Sequence, residues 1–242
     1  MISKTMPKTA IILAGGLGTR LKALNPDRPK PMALVNNVPF LEYLLVYLVN
    51  LGIEIFILQV SYKYKIIQDH FGNEFRGSKL IYEIEDMPMG TGGGLIITEN
   101  KYNESDILIL NGDTFTEIEY EKFYNFHKSL NSELTLICRK DINIETNLKF
   151  SLDDKSNLHF SKSKNQIINC GVYLIRKKAL NKFFKLKKSF MSFEDDILMQ
   201  LINEKKVFGF LQKNFFIDIG TPLDYKSAQT SIPKYFRDRH YL

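Results

Sequence analysis

The apolar run Ala10–Ala14 gives way abruptly to Gly15-Gly16-Leu17-Gly18-Thr19-Arg20. This junction constrains the fold more than any other stretch. An apolar segment bounded by glycines reads as a buried strand entering a tight loop. Three glycines in four positions remove the Cβ atoms that would keep a ligand off the backbone. They also permit positive φ, so successive N–H groups can turn toward one anion. Arg20 adds a planar guanidinium. Lys30 follows between Pro29 and Pro31, whose fixed φ and effect on the preceding residue mount it on a stiff arm. A backbone nest, a guanidinium and a rigidly held ammonium together suit a polyphosphate. A plain strand-to-helix turn beside a solvated basic loop would account for the glycines alone. The residues Gly18-Thr19-Arg20 do not make a Walker loop, which needs Gly-Lys-Ser/Thr. A dinucleotide fingerprint also fits poorly, since its third glycine is missing and a Pro-rich loop replaces the helix.

Beyond the loop, strand-like and helix-like segments alternate. Pro39–Asn50 is predicted as a helix with Pro39 at its first position and Phe40, Leu41, Leu44, Leu45 and Leu48 as the apolar face. Ile53–Val60 reads as a strand, Tyr64–Phe71 as a helix stopped by Gly72, and Lys79–Ile84 as another strand. This is the pattern of an α/β fold: a Rossmann-like, mainly parallel mixed sheet with helices on both faces and a smaller lobe near 140–200. Ligands on such sheets sit beyond the carboxyl ends of the strands, where the Gly15 loop lies. One domain spanning about 8–231 is expected, its nucleotide-binding part about 8–115.

Three further places carry candidate chemistry. Pro88-Met89-Gly90-Thr91-Gly92-Gly93-Gly94 begins just past Glu85 and reads as a loop into a helix, open enough for backbone groups to approach a flat base edge. The Glu85 carboxylate can accept two hydrogen bonds, and guanine alone among the common bases offers adjacent N1–H and N2–H donors. A solvent-facing Glu85 is the alternative. Ile107–Leu110 ends in Asn111-Gly112-Asp113-Thr114, which puts a carboxylate at a strand tip, as a hard cation needs, or as an Asx turn does. Asp218 lies in the apolar segment Phe215–Ile219, where a buried carboxylate is costly unless paired or bound to metal.

Charge limits the partners. The net charge is +6, yet Lys155–Phe193 holds ten Lys or Arg and no Asp or Glu, so the rest of the chain is net acidic. The basic stretch lacks a nucleic-acid motif and interleaves with Phe183 and Phe184, which favours a solvated face attractive to phosphorylated small molecules over nucleic acid. Cys138 and Cys170 lie in apolar runs and read as reduced core residues. No segment reads as a signal peptide or membrane span, so a cytoplasmic protein with no membrane partner is expected; a homo-oligomer is compatible with all of this.

LAGGLGTRL followed by PKPM resembles the signature of the sugar-phosphate nucleotidyltransferases. Within that family, PDRPKPMALVNNVPFLEYLLVYLVNLGI and PMGTGGG are most similar to the D-glycero-D-manno-heptose 1-phosphate guanylyltransferases. The resemblance runs from about Lys8 to Tyr225 and is weak between Asp141 and Asn165. It implies transfer of a nucleotidyl group from a nucleoside triphosphate, GTP favoured, to a sugar 1-phosphate with release of pyrophosphate. It further implies Mg²⁺ on Asp113 and Asp218, with catalysis by Arg20, Lys30 and Asp113. The nucleotide would lie on Leu13, Ala14, Gly15, Gly16, Gly18, Thr19, Arg20, Glu85, Gly90 and Thr91. The acceptor would meet Gly112, Lys162, Asn169, Gly171 and Glu194. Ser192 as a helix cap would give the acids after it a purely structural reason.

The acceptor lobe departs from the family. Asp141–Ser151 holds no glycine, where relatives carry an aromatic-glycine pair, and Phe160-Ser161-Lys162-Ser163-Lys164 replaces a Phe-x-Glu-Lys motif. Lys162 lies nearer the family's lysine position than Lys164 does. Another base, cytosine among them, another phosphorylated acceptor such as mannose 1-phosphate, or a non-catalytic nucleotide-sugar binder are the rival readings. No C-terminal β-helical extension is expected.

Overall fold

A computed structural model of the chain describes residues 6–16, 27–85, 89–140, 150–160, 167–184 and 190–241. It begins with β1 (Thr9–Leu13), a 3-10 turn at Lys30–Met32, the hairpin β2 (Leu34–Val35) and β3 (Val38–Pro39), and helix α1 (Phe40–Asn50). β4 (Ile55–Val60), α2 (Tyr64–Phe71), β5 (Glu74–Phe75), β6 (Ser78–Ile84), α3 (Gly90–Ile97) and β7 (Asp106–Asn111) follow. Then come β8 (Thr114–Thr116), α4 (Tyr120–Ser129), β9 (Leu134–Lys140), β10 (Phe150–Leu152), β11 (Leu158–Phe160), β12 (Ile167–Arg176) and α5 (Lys177–Phe184). A π-helical turn, Phe193–Leu198, leads into α6 (Met199–Asn203), and β13 (Val207–Leu211), β14 (Phe216–Asp218) and α7 (Pro222–Asp238) close the fold. No helix among the described residues is long and apolar enough to cross a membrane.

The fold is α/β with parallel and antiparallel pairings mixed, and the chain forms two compact units. Lys8–Pro88, Leu110–Phe115 and Phe216–Leu242 make the first; Met1–Pro7, Met89–Ile109 and Thr116–Phe215 make the second. In the first, β1, β4 and β6 run parallel, with Leu13 level with Gln59 and Gln59 with Glu83. β5 folds back antiparallel on β6. Ala10, Ile11 and Ile12 are fully buried, which is why β1 reads as an unbroken apolar run instead of an alternating one.

Helix α1 is more enclosed than its apolar stripe predicts. Tyr43, Val46 and Tyr47 are buried with the expected Phe40, Leu41, Leu44, Leu45 and Leu48. The covering rings come from far along the chain: Phe236 of α7 stacks edge-on to Tyr43 at 5.0 Å, and Phe115 meets Tyr47 at the same separation. Pro39 ends β3 and caps α1 one position before the first helical residue, so the expected N1 placement is off by one. Its missing N–H costs nothing there, because a cap makes no intrahelical donor bond.

In the second unit β12 pairs antiparallel with β9, β13 runs parallel to β9, and β10 lies antiparallel to both β11 and β12. The β12–β9 register slips between Asn169 and Tyr173. Gly171 sits there at φ +68°, the left-handed geometry a bulge residue needs and a side chain resists.

Candidate active site

The first unit collects the groups that would meet a triphosphate. β1 delivers Leu13, and Ala14 is anchored by its N–H to the Gln59 carbonyl at 2.9 Å. A Cβ on Gly15 would come no closer than 3.5 Å to any described atom, and one on Gly16 would meet nothing within 4 Å. Among the described residues, neither packing nor a left-handed backbone demands glycine at these two positions. What glycine leaves there is bare backbone, which a bound anion can use. Gly112 differs: it donates to the Leu13 carbonyl at 3.0 Å, and a Cβ would lie 3.0 Å from that oxygen. Its smallness lets the Asp113 turn close onto the root of the glycine loop. Gly18, Thr19 and Arg20 lie outside the described residues.

Lys30, Asp113 and Asp218 converge from three separate parts of the sequence. Pro31 and Met32 are buried and fix the turn that carries Lys30. The Lys30 ammonium lies 2.5 Å from Asp113 Oδ2 and 3.9 Å from Asp218 Oδ1, with its side chain 10% exposed. Thr114 donates its hydroxyl to the other Asp113 oxygen at 3.2 Å. The Ile219 N–H donates to the Asp113 carbonyl at 3.1 Å, tying the two carboxylate-bearing turns together. Asp218 closes β14 and is not interior to it.

The Asp218 carboxylate is split in character. Oδ1 is shut away from solvent without a hydrogen-bond partner among the described residues, while nearly half of the side chain stays open. A Cβ on Gly220 would lie 2.7 Å from that Oδ1, so glycine there keeps the oxygen's place free. Burial, then the neighbouring Asp113 charge, push Asp218 up to about 6 against the pull of Lys30. Two carboxylates, one ammonium and an orphaned oxygen form a donor set short of one positive charge. A divalent cation fits it. No group of three or more His, Cys, Asp or Glu able to hold a metal occurs among the described residues. A two-carboxylate site completed by substrate phosphates is the arrangement Mg²⁺ favours.

Glu85 follows β6 and is pinned by its N–H to the Val60 carbonyl at 3.0 Å. It lines an open concavity of about 550 Å³ with Ser61, Tyr62, Lys63, Tyr64, Ile84 and their neighbours. Ser61 is also the side chain nearest Gly15. Ser61 thus links this open concavity to Gly15 at the root of the glycine loop.

In the second unit the glycine cluster is not a loop before a helix; it is the helix. Gly90–Gly94 supply the first five residues of α3. The N–H groups of Gly92 and Gly93 both donate to the Met191 carbonyl, at 2.8 and 3.1 Å. A Cβ on Gly90 would lie 2.4 Å from that oxygen. Thr91 accepts from the Phe193 N–H at 2.9 Å. These residues are small because the 191–193 segment lies against them, a long-range reason the sequence does not display.

Asn169 and Gly171 meet in the β12 bulge: the Asn169 side chain accepts from the Gly171 N–H at 2.9 Å and donates to the Tyr173 hydroxyl at 2.6 Å. Ser192 caps the π-helical turn, accepting from the Asp195 N–H at 3.1 Å while its own N–H donates to Asp196 at 2.8 Å. Glu194 stands half-buried in that first turn. Lys162 lies outside the described residues, as does the 141–149 segment where the family motif is missing. Thr114 and Gly220, which shape the two carboxylates, were legible only as neighbours of Asp113 and Asp218.

Residues 9–148 match the nucleotidyl transferase family, and the chain belongs to it. It is 38% identical over 229 residues to the D-glycero-alpha-D-manno-heptose 1-phosphate guanylyltransferase of Aneurinibacillus thermoaerophilus, covering 93% of this chain and 99% of that one. It is 40% identical over 226 residues to the enzyme of the same name from Campylobacter jejuni subsp. jejuni serotype O:2, covering 89% and 96%. A crystal structure of HddC from Yersinia pseudotuberculosis shares the fold with a TM-score of 0.80 at 34% identity, over 94% of this chain and 99% of that one. A second structure of HddC, complexed with GMP-PN, has a TM-score of 0.78 over the same shares of the two chains.

Proposed function

We propose that this chain transfers GMP from GTP to a sugar 1-phosphate, D-glycero-D-manno-heptose 1-phosphate by preference, releasing pyrophosphate in the cytoplasm. The observation that carries the reading is the convergence of Lys30 on Asp113 and Asp218 in one unit, in a family member 38–40% identical to two heptose 1-phosphate guanylyltransferases. A phosphate oxygen of the acceptor attacks the α-phosphorus, the bond from that phosphorus to the β-phosphate oxygen breaks, and pyrophosphate leaves with its electron pair. The second ionisation of a phosphomonoester lies near pH 6, so the nucleophile is already an anion at neutral pH and no general base is required. Asp113 and Asp218 would hold Mg²⁺, which when bound supplies the charge that lets two anions approach.

Lys30 stabilises the charge that builds on the α-phosphoryl oxygens in the transition state. Arg20 and the amides of Gly15, Gly16, Gly18 and Thr19 take the leaving pyrophosphate. Leu13 and Ala14 lie along the nucleotide, with Gly90 and Thr91 at its base. Glu85 accepts from guanine N1–H and N2–H at the edge of its recess. Gly112, Asn169, Gly171, Glu194 and Lys162 serve the acceptor. The experiment is pyrophosphate release over ATP, CTP, GTP and UTP against heptose, mannose and glucose 1-phosphates, each with Mg²⁺ and with EDTA. Turnover should be greatest for GTP with the heptose phosphate and vanish in EDTA. Preference for another base would displace the role of Glu85, and silence with every pair would leave a nucleotide-sugar binder.

A further inference from the structure

The hairpin that follows Lys30 is too short to hold itself. β2 and β3 have two residues each, turned through Asn36 and Asn37 at φ +49° and +67°. An isolated hairpin is at best marginally stable in water. Its backbone is held instead by side chains from α7, almost two hundred residues away. The Leu34 carbonyl accepts twice, from the Tyr225 hydroxyl at 2.6 Å and from the Gln229 amide at 2.9 Å. The Gln229 oxygen accepts in turn from the Asn36 N–H at 2.9 Å. One glutamine thus grips the hairpin at two points, with donor and acceptor both used.

Both ends of this clasp lead to the reacting groups. On one side, the Ala33 N–H donates to the Lys30 carbonyl at 3.0 Å and the Phe40 N–H to the Ala33 carbonyl at 2.9 Å. With Pro29 and Pro31 stiffening the turn, a displacement at Leu34 is passed to Lys30 with little slack. On the other side, α7 starts only four residues after Asp218. Its first turn is capped by Thr221, which accepts from the Asp224 N–H at 3.2 Å. The Ile219 N–H fastens the same stretch to Asp113. α7 is therefore continuous with the carboxylates and bonded to the arm that carries the ammonium.

We propose that Tyr225 and Gln229 are positioning residues that set Lys30 against the Asp113–Asp218 pair. This rests on the reading of Lys30 as the group that stabilises the α-phosphoryl transition state. Misplacement of a catalytic group by about 1 Å can cost on the order of a hundredfold in rate. The Tyr43 hydroxyl also donates to the Val35 carbonyl at 3.2 Å, so loss of one anchor of three should cost less.

The test is a double-mutant cycle on the full-length protein with GTP, sugar 1-phosphate and Mg²⁺. Tyr225→Phe removes only the hydroxyl and should lower kcat about tenfold, with KM for GTP within about twofold. Gln229→Ala should act alike, and the double variant more strongly. In a Lys30→Gln background, read by single-turnover kinetics at high enzyme concentration, Tyr225→Phe should cost nothing further. Residues acting through one group are non-additive in this way. Equal fractional losses in both backgrounds, or an unchanged kcat in the Tyr225→Phe/Gln229→Ala variant, would overturn the positioning role and leave the site reading intact. Full activity in Lys30→Gln itself would sink the site reading and the positioning role with it. Melting curves on every variant separate these outcomes from simple unfolding, since a merely structural clasp would lower the melting temperature and leave kcat per folded molecule unchanged.

Discussion

Strand β7 begins with a buried carboxylate and is followed by a half-buried one, and the two are treated in opposite ways. Asp106, 2% exposed, is saturated. Lys128 reaches Oδ2 at 2.8 Å and Ser105 donates to the same oxygen at 3.1 Å, while His127 stands 3.4 Å and Arg176 3.9 Å from Oδ1. Burial works against its charged form, but the hydrogen bonds and charges of His127 and Lys128 prevail and hold the carboxyl well below the usual range. Asp113 shares a single ammonium with Asp218, whose inner oxygen has no partner among the described residues. A Thr135–His127–Asp106 series has the residue types of a nucleophile relay, yet Thr135 and His127 are fully buried and out of reach of any substrate. The complete cluster has the marks of a structural one; the incomplete one is where the proposed function puts its ligand.

The largest effect should come from the incomplete side. Asp113→Asn or Asp218→Asn should lower turnover by roughly two to three orders of magnitude, the scale for losing a transition-state charge contact. Melting temperature should hold or rise for Asp218→Asn, because a like-charge repulsion is relieved, and fall modestly for Asp113→Asn, which takes the nearer carboxylate from the Lys30 ammonium. A large loss of stability with activity retained would make this pair as structural as Asp106. In the saturated cluster the expectation reverses. Asp106→Asn takes the charge from the buried partner of half-exposed Lys128 and buried His127 and should cost about 3 kcal/mol of stability in chemical denaturation. Turnover per folded molecule should stay near wild type. A selective loss of kcat would erase the contrast.

The smallest effect concerns pH. Burial pushes the His127 imidazole below its ordinary 6.5, with Asp106 pulling the other way. Neutral His127 donates to Asp106 and accepts from Thr135. As pH falls through about 6.5 the unfolded chain takes up a proton that the folded chain refuses, so stability drops. Asp106 adds a further loss below its ordinary 3.8, where the native carboxylate must be protonated. His127→Gln should flatten the melting temperature against pH between about 6.5 and 5 relative to wild type. Parallel curves for the two proteins would show that His127 is not the linked group.

Local chemistry was legible in the sequence; distant reasons were not. α2 spans Tyr64–Phe71, bounded by the glycine that stops it, because period and punctuation agree over a short range. Ser192 was readable as a cap for the same reason. Asn169 and Gly171, which the resemblance assigns to the acceptor, are also bonded to each other in a bulge. That depends on how β12 slips against β9 and has no local signature. The enclosure of α1 depends on Phe115 and Phe236, and the seat of Lys30 on Tyr225 and Gln229. In each case the partner is so far along the chain that no pattern could reveal it. For the candidate site, the carboxylates and lysine were visible as types in the sequence, whereas the burial of Asp218 Oδ1 without a hydrogen-bond partner among the described residues is visible only in three dimensions.

Helix α3 carries four glycines in eight residues. Each costs about 0.8–1 kcal/mol of intrinsic helix preference relative to alanine, so the segment has no standing as a helix by itself. What orders it is the Met191 carbonyl, which takes two of its amide hydrogens, and the Met191 N–H, which returns a bond to the Met89 carbonyl at 2.8 Å. Residues 89–97 and 190–193 therefore depend on each other for their order. The familiar remedy for a weak helix, glycine to alanine, changes sign here. A methyl group on Gly92 would sit 3.0 Å from the Met191 oxygen, and one on Gly93 would sit 2.7 Å from Met89 Cβ. An alanine at Gly92 that improved the helix in isolation would press it away from the 191–193 segment that orders it.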